Sequence, residues 1–154
     1  MAGPSRARGA VGFFAGVYVV LLAYATLTPA DTAESVTGVV AVIAASVSAA
    51  IGGDLDATYA VLESAANVAL FVPLGALVAT PLRRTRGVAI VAAASVGAST
   101  SLAIEFAQRY IDGRYSTMAD VAANSGGAIL GGTVIVTVVA TTAGRGRVTT
   151  PRDA

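Results

Sequence analysis

The sequence predicts an all-α membrane protein: a bundle of four transmembrane helices, with a fifth span as the alternative, and one interfacial or re-entrant segment. Hydrophobic residues make up 55% of the 154 residues and charged residues only 12%, about half the charged fraction of an average soluble domain. Mean hydropathy is +0.75. The apolar residues also form long uncharged blocks instead of helical or alternating patterns, which is typical of membrane spans.

Five uncharged blocks approach the length that crosses a hydrocarbon core of ~30 Å at 1.5 Å per residue. The first block follows Arg6 and Arg8 but is longer than the apolar core of a signal peptide, so we interpret it as a retained span. The blocks are residues 9–30, 35–53, 64–82, 87–104 and 121–144.

Arginine placement predicts which blocks cross, because cytoplasmic loops are enriched in basic residues. The N-terminus and the loop 83–86, RRTR, both carry arginines and should both be inside. An even number of crossings must separate them, so segment 35–53 is interpreted as interfacial or re-entrant. The predicted regions are a cytoplasmic N-terminus at 1–9, spans at 10–28, 62–82, 87–108 and 120–143, and a disordered cytoplasmic tail at 144–154.

This topology puts eight of the ten arginines inside and brings the polar residues of the later spans to their outer ends. Residues three or four apart share a helical face, so each of these spans presents its polar side chains together. Ionisable groups inside spans are costly and are often functional. We therefore predict a ligand-binding site made of Glu63, Asn67, Glu105, Gln108, Arg109, Arg114, Asp120 and Asn124.

A structural interpretation of the same residues stays open. Glu105 and Arg109 have the spacing of an ordinary helix pair. Asp120 suits the first turn of a helix, with Ser116 or Thr117 as the cap. In that case the charges mark the membrane interface and serve folding alone.

The composition excludes several kinds of chemistry. The chain contains no Cys, His or Lys, so thiol nucleophiles, histidine bases and histidine metal sites are ruled out. The net charge is +1 and the arginines are scattered, which argues against nucleic acid as a partner. No cofactor is predicted. Gly127 and Gly131 form a GxxxG pair, interpreted first as packing within the chain and second as a homo-oligomer contact.

Three stretches resemble the VanZ-like family of integral membrane proteins. They are ESAANVALFVPLG, SLAIEFAQRYIDGR and DVAANSGGAILGG, in this order, between about residues 62 and 132. Many members carry a His-Phe element before the second span, where this chain has Tyr59 and Glu63. The resemblance implies a bacterial cell-envelope protein with a link to glycopeptide antibiotic resistance. It also implies that the recurrent polar positions of the family are here Asn67, Ser101, Glu105, Gln108, Arg114, Asp120 and Asn124.

Two functions follow as hypotheses. The first is a non-enzymatic protein of the bacterial plasma membrane that binds a membrane lipid, a lipid-linked envelope precursor or a lipoglycopeptide. Arg109 and Arg114 would take a carboxylate or phosphate of that ligand. The alternative is a membrane-embedded hydrolase or transferase acting on a lipid-linked precursor. Glu105 and Asp120 would then be the catalytic acid and base, or would hold Mg²⁺ or Ca²⁺ together with Glu63.

Overall fold

A computed structural model describes residues 4–29, 34–111 and 117–145, and this part of the chain is helical without any strand. The all-α prediction is therefore confirmed for these residues. The described residues form five helices in chain order: α1 (Pro4–Leu27), α2 (Glu34–Ile51), α3 (Leu55–Leu82), α4 (Arg86–Gln108) and α5 (Met118–Arg145).

Helices α3, α4 and α5 form the central bundle. The contact between α3 and α5 is the most extensive, and α4 packs against both. Helix α2 lies on α3, whereas α1 makes lighter contacts with α4 and α3. Among the described residues, the core consists mostly of alanines and glycines around the fully buried ring of Phe71. Small side chains let the helix backbones approach closely, which is a common way for helices to associate in membranes.

The glycines of α5 show how close this approach is. A Cβ atom at Gly127 would collide with the carbonyl oxygen of Val68 on α3, and one at Gly131 would collide with that of Val72. The GxxxG pair therefore packs within the chain, as its first interpretation predicts. A homo-oligomer through the same two glycines stays a prediction, and α3 already covers this face.

Within the described ranges, three helices are long and apolar enough to cross a membrane: α3, α4 and the Met118–Thr142 part of α5. The described apolar stretches of α1 and α2 are shorter, at Val11–Leu27 and Ala41–Ile51. Large apolar side chains also cover the outside of the bundle; Phe14, for example, is 69% exposed. These features support a multi-pass membrane protein without fixing the number of spans at four.

The helix ends differ from the predicted span ends. Helix α3 begins at Leu55 instead of near residue 62, because Asp54 caps it by accepting a hydrogen bond from the backbone N–H of Ala57 at 2.8 Å. Helix α1 already includes residues 4–9, and α5 continues to Arg145. The rest of the predicted tail, residues 146–154, lies outside the described residues.

The helix directions define one end of the bundle, which we call the polar end. There the side chain of Gln108, at the end of α4, contacts the backbone of Thr26, near the end of α1. Asn67 of α3 contacts Asp120, in the first turn of α5, at the same end. Helix α1 therefore ends, and α3 begins, at the polar end. The intervening α2 ends in a turn at Gly52, whose φ of 66° suits glycine, and packs near the first turns of α3.

Candidate functional site

The polar side chains of α4 lie on the face that packs against the bundle. The buried residues of this helix recur almost every four positions, so they form one stripe. The stripe begins with small residues and becomes polar toward the polar end. Its members are Ala89, Ala93, Gly97, Ser101, Glu105 and Gln108.

Asp120 uses one oxygen of its carboxylate to join α5 to α3 and the other to cap the start of α5. Its Oδ1 accepts a hydrogen bond from Nδ2 of Asn67 at 2.6 Å, and its Oδ2 accepts one from the Thr117 hydroxyl at 2.7 Å. The backbone N–H of Asp120 in turn donates to the Thr117 Oγ1 at 3.2 Å. This reciprocal pattern is a helix cap in which Thr117 is the capping residue, as one of the sequence alternatives has it.

A second polar contact lies one helical turn deeper. Nδ2 of Asn124 donates to the hydroxyl of Ser101 at 2.9 Å, and both residues are buried. The pair joins α5 to α4. The amide oxygen Oδ1 of Asn124 is buried without a hydrogen-bond partner among the described residues.

Glu105 is a buried acidic residue, and one oxygen of its carboxylate lacks a hydrogen-bond donor among the described residues. Its side chain is only 6% exposed. Its Oε2 atom is buried and has no hydrogen-bond partner in the described part of the chain. Arg109, one turn further along α4, therefore does not bond to that oxygen. A buried carboxylate oxygen without a donor is costly, so it requires an explanation.

A cleft of about 300 Å³ opens between the end of α4 and the start of α5 beside Glu105. It combines a carboxylate, a guanidinium and a hydroxyl with apolar side chains. Three of the apolar members lie on the outer surface of the bundle: Leu102 is 52%, Phe106 60% and Met118 75% exposed. The full lining is Leu102, Glu105, Phe106, Arg109, Thr117, Met118 and Val121.

Gln108 takes part in a helix contact. Its Nε2 donates to the backbone carbonyl of Thr26 at 2.8 Å in a buried position. Carbonyl groups in the last turn of a helix lack partners within that helix, so Gln108 supplies one to α1. Gln108 does not line the cleft beside Glu105. A ligand-binding role for this residue stays a prediction.

The remaining predicted site residues occupy different positions. Glu63 is exposed on α3, one turn before Asn67, and is engaged in an interaction. Arg109 is exposed at the end of α4 and lines the cleft. Arg114 lies outside the described residues. Within the described ranges no three acidic side chains come together as a metal site, so the geometry gives no support to Mg²⁺ or Ca²⁺ held by Glu63, Glu105 and Asp120.

The predicted site therefore separates into three parts: the bridge between Asn67 and Asp120, the buried pair of Asn124 and Ser101, and the cleft at Glu105. The prediction omitted the apolar walls of the cleft and the role of α1. The spacing of Ser101 four residues before Glu105 already placed Ser101 on the same face. No comparable pattern in the sequence predicts the contact of Gln108 with α1.

Comparison with known proteins identifies the family of this chain. The family model of VanZ/LLP1 matches residues 14–139, which is most of the chain. No curated protein and no solved structure matches it. The match extends well beyond residues 62–132: it covers α2, α3 and α4 completely and most of α1 and α5. The chain therefore belongs to the VanZ/LLP1 family, and its three long apolar helices support a multi-pass membrane protein of that family.

Proposed function

We propose that this protein binds the polar group of a lipid-linked or lipopeptide ligand in the cleft between α4 and α5, at the outer face of the bacterial plasma membrane. The observation that carries the proposal is the mixed lining of that cleft. Glu105 and Arg109 offer both charges, while Leu102 and Phe106 continue onto the apolar outside of the bundle. A ligand with a charged head and an apolar tail fits such a surface.

Arg109 is the residue expected to hold an anionic group. Its guanidinium is exposed at the cleft and presents several N–H donors in a geometry that suits carboxylate and phosphate. Arg114, from the loop between α4 and α5, is proposed as a second such group. Asp120 has both of its oxygens engaged with Asn67 and Thr117, so its proposed part is to fix the wall of the site.

The proposed topology has four spans with both termini inside. The helix directions support it, because α1 ends and α3 begins at the polar end. The chain between them therefore makes no net crossing, in agreement with α2 as an interfacial or re-entrant segment. The polar end is then the outer end, opposite the basic loop at 83–86.

Side-specific labelling tests this topology. The chain has no cysteine, so Tyr110→Cys and Thr85→Cys each introduce a single thiol at an exposed position at opposite ends of α4. A membrane-impermeant maleimide on intact cells should label the variant at 110 and spare the one at 85. The reverse pattern would place the cleft in the cytoplasm and would rule out ligands of the outer leaflet.

Binding is tested by native mass spectrometry of the purified protein with added anionic phospholipid. Arg109→Gln should weaken lipid binding about tenfold, because a charged hydrogen bond is worth ~1.5–3 kcal/mol. Arg84→Gln is the matched control, since Arg84 is exposed at the other end of α4. Equal affinities of the two variants would refute binding at the cleft.

The proposal includes a link to glycopeptide resistance, since lipoglycopeptides are themselves amphiphiles. Expression in a sensitive bacterium should raise the inhibitory concentration of teicoplanin, and Arg109→Gln should cancel the increase. If expression has no effect on that concentration, the ligand is another amphiphile of the envelope.

An enzymatic function is supported by one observation, the buried and open carboxylate of Glu105 at the cleft. In a hydrolase or transferase this group would be the general base. Incubation with a lipid-linked envelope precursor would then give a product, and Glu105→Gln would abolish it. If the lipid is recovered unchanged from the wild-type protein, the binding function stands.

A further inference from the structure

Two buried oxygen atoms at the polar end lack hydrogen-bond donors within the described part of the chain: Oε2 of Glu105 and Oδ1 of Asn124. Asn124 bonds to Ser101, which lies one turn from Glu105 on the same face of α4. The two unpaired oxygens therefore belong to residues at neighbouring levels along the axis of α4. Buried polar atoms are nearly always paired in folded proteins, so each of these oxygens requires a hydrogen-bond donor.

The acidic character of Glu105 limits the kinds of hydrogen-bond donor that suit it. Glu105 carries a carboxylate group with one unpaired buried oxygen among the described residues, whereas Asp120 accepts a hydrogen bond on each oxygen. A positive donor therefore fits Glu105 better than a neutral one. A primary ammonium carries three N–H donors, and Glu105 is one of the residues that line the cleft.

A divalent cation fits this position less well. Calcium takes six to eight oxygen ligands and magnesium takes six. The walls around Glu105 are mostly apolar, with Leu102, Phe106 and Val121 among them. These side chains cannot replace the hydration shell of a metal ion, but they suit the carbon atoms next to an ammonium group.

Arg109 lies one turn beyond Glu105 and both residues line the cleft, so groups of opposite charge lie along one of its walls. We infer that the cleft selects a zwitterionic amphiphile, with a primary ammonium donating to Glu105 and an anionic group bound by Arg109. This inference rests on the proposed function and adds the class of head group to it.

Lipids that differ only at the nitrogen give the sharpest test. Native mass spectrometry titrations of the full-length protein would compare dioleoyl phosphatidylethanolamine, its dimethyl derivative and phosphatidylcholine. The first two retain an N–H donor, whereas the quaternary ammonium of phosphatidylcholine has the same charge and no donor. We expect phosphatidylethanolamine to bind about tenfold or more tightly than phosphatidylcholine, with the dimethyl lipid in between.

Glu105→Gln should remove this preference, because it deletes the charge and keeps the size of the side chain. Asp56→Asn is the matched control, since it removes one carboxylate from an exposed position at the start of α3. The control should keep the preference unchanged. The comparison of lipids on the wild-type protein needs no variant, so it decides the inference even if Glu105→Gln fails to fold.

The outcomes separate the inference from the proposed function. Equal binding of all three lipids, with Arg109→Gln still weakening each of them, would overturn the ammonium site and leave lipid binding intact. Binding that neither Arg109→Gln nor Glu105→Gln affects would overturn both. Soluble phosphoethanolamine should bind much more weakly than the lipid. Equal affinity would keep the ammonium site and refute a lipid as its ligand.

Discussion

Replacement of Gly131 by alanine tests the close approach of α3 and α5. The new Cβ atom would overlap the carbonyl oxygen of Val72 and would lie 2.8 Å from its carbonyl carbon and 2.9 Å from the backbone nitrogen of Ala76. Carbon atoms in good contact are ~3.5–4 Å apart. These neighbours are backbone atoms of α3, so no side chain can rotate away and the two helices must separate.

The expected cost follows from that separation. Overpacking a tightly packed core destabilises by ~1–3 kcal/mol. Gly126→Ala is the matched control on the same helix, because a Cβ there meets nothing within 4 Å. Alanine is favoured over glycine in a helix interior by ~0.8–1 kcal/mol, so the control should be neutral or stabilising. Both variants gain this helix propensity, so it cancels, and their free energies of unfolding should differ by the overpacking cost of ~1–3 kcal/mol.

The assay is reversible unfolding in mixed detergent micelles, with the oligomeric state followed by native mass spectrometry. If Gly131→Ala unfolds with the same free energy as Gly126→Ala, the reasoning about the α3–α5 contact is wrong. If Gly131→Ala keeps its stability and instead dissociates a dimer, the glycine pair forms a contact between chains.

Two other predictions concern the buried polar contacts. Ser101→Ala leaves the amide nitrogen of Asn124 buried without a partner, so the free energy of unfolding should fall by ~1–3 kcal/mol; the double variant with Asn124→Leu should recover part of the loss, and strict additivity in this cycle would contradict a direct bond. Gln108→Leu removes the donor to the carbonyl of Thr26 and should loosen α1. Hydrogen exchange should then become faster in the last turn of α1 and stay unchanged in the central bundle, whereas equal acceleration in every helix would indicate a general loss of stability.

Part of the site could be predicted from the sequence. Polar residues four apart on α3 and α5 placed Asn67 and Asp120 on inward faces, and the directions of the spans brought them to one end. The structure then places them in direct contact. The uncharged blocks likewise predicted helices, because a chain in lipid has to satisfy its backbone hydrogen bonds within each segment.

The environments of the polar residues on α4 could not be predicted, because they depend on the rotation of each helix about its axis and on its position along the bundle. The spacing of Glu105, Gln108 and Arg109 gives them a shared side of α4 but does not say which neighbour each will meet. In the structure Gln108 donates to the backbone of α1, Arg109 is exposed at the cleft, and Glu105 is buried. A rotation of α4 by a fraction of a turn would exchange these environments.

The sequence by itself determined that the chain is helical, that it is apolar enough for several spans, and that its acids and amides occur near span ends. These properties depend on neighbours along the chain, which the sequence contains directly. Only the tertiary structure decided that Asp120 is fully engaged while Glu105 keeps an open buried oxygen. That difference depends on Asn67, a donor that α3 supplies to Asp120, and on the lack of a donor to Oε2 of Glu105 among the described residues. The close glycine packing of α3 against α5 sets the separation of the two helices that Asn67 and Asp120 join.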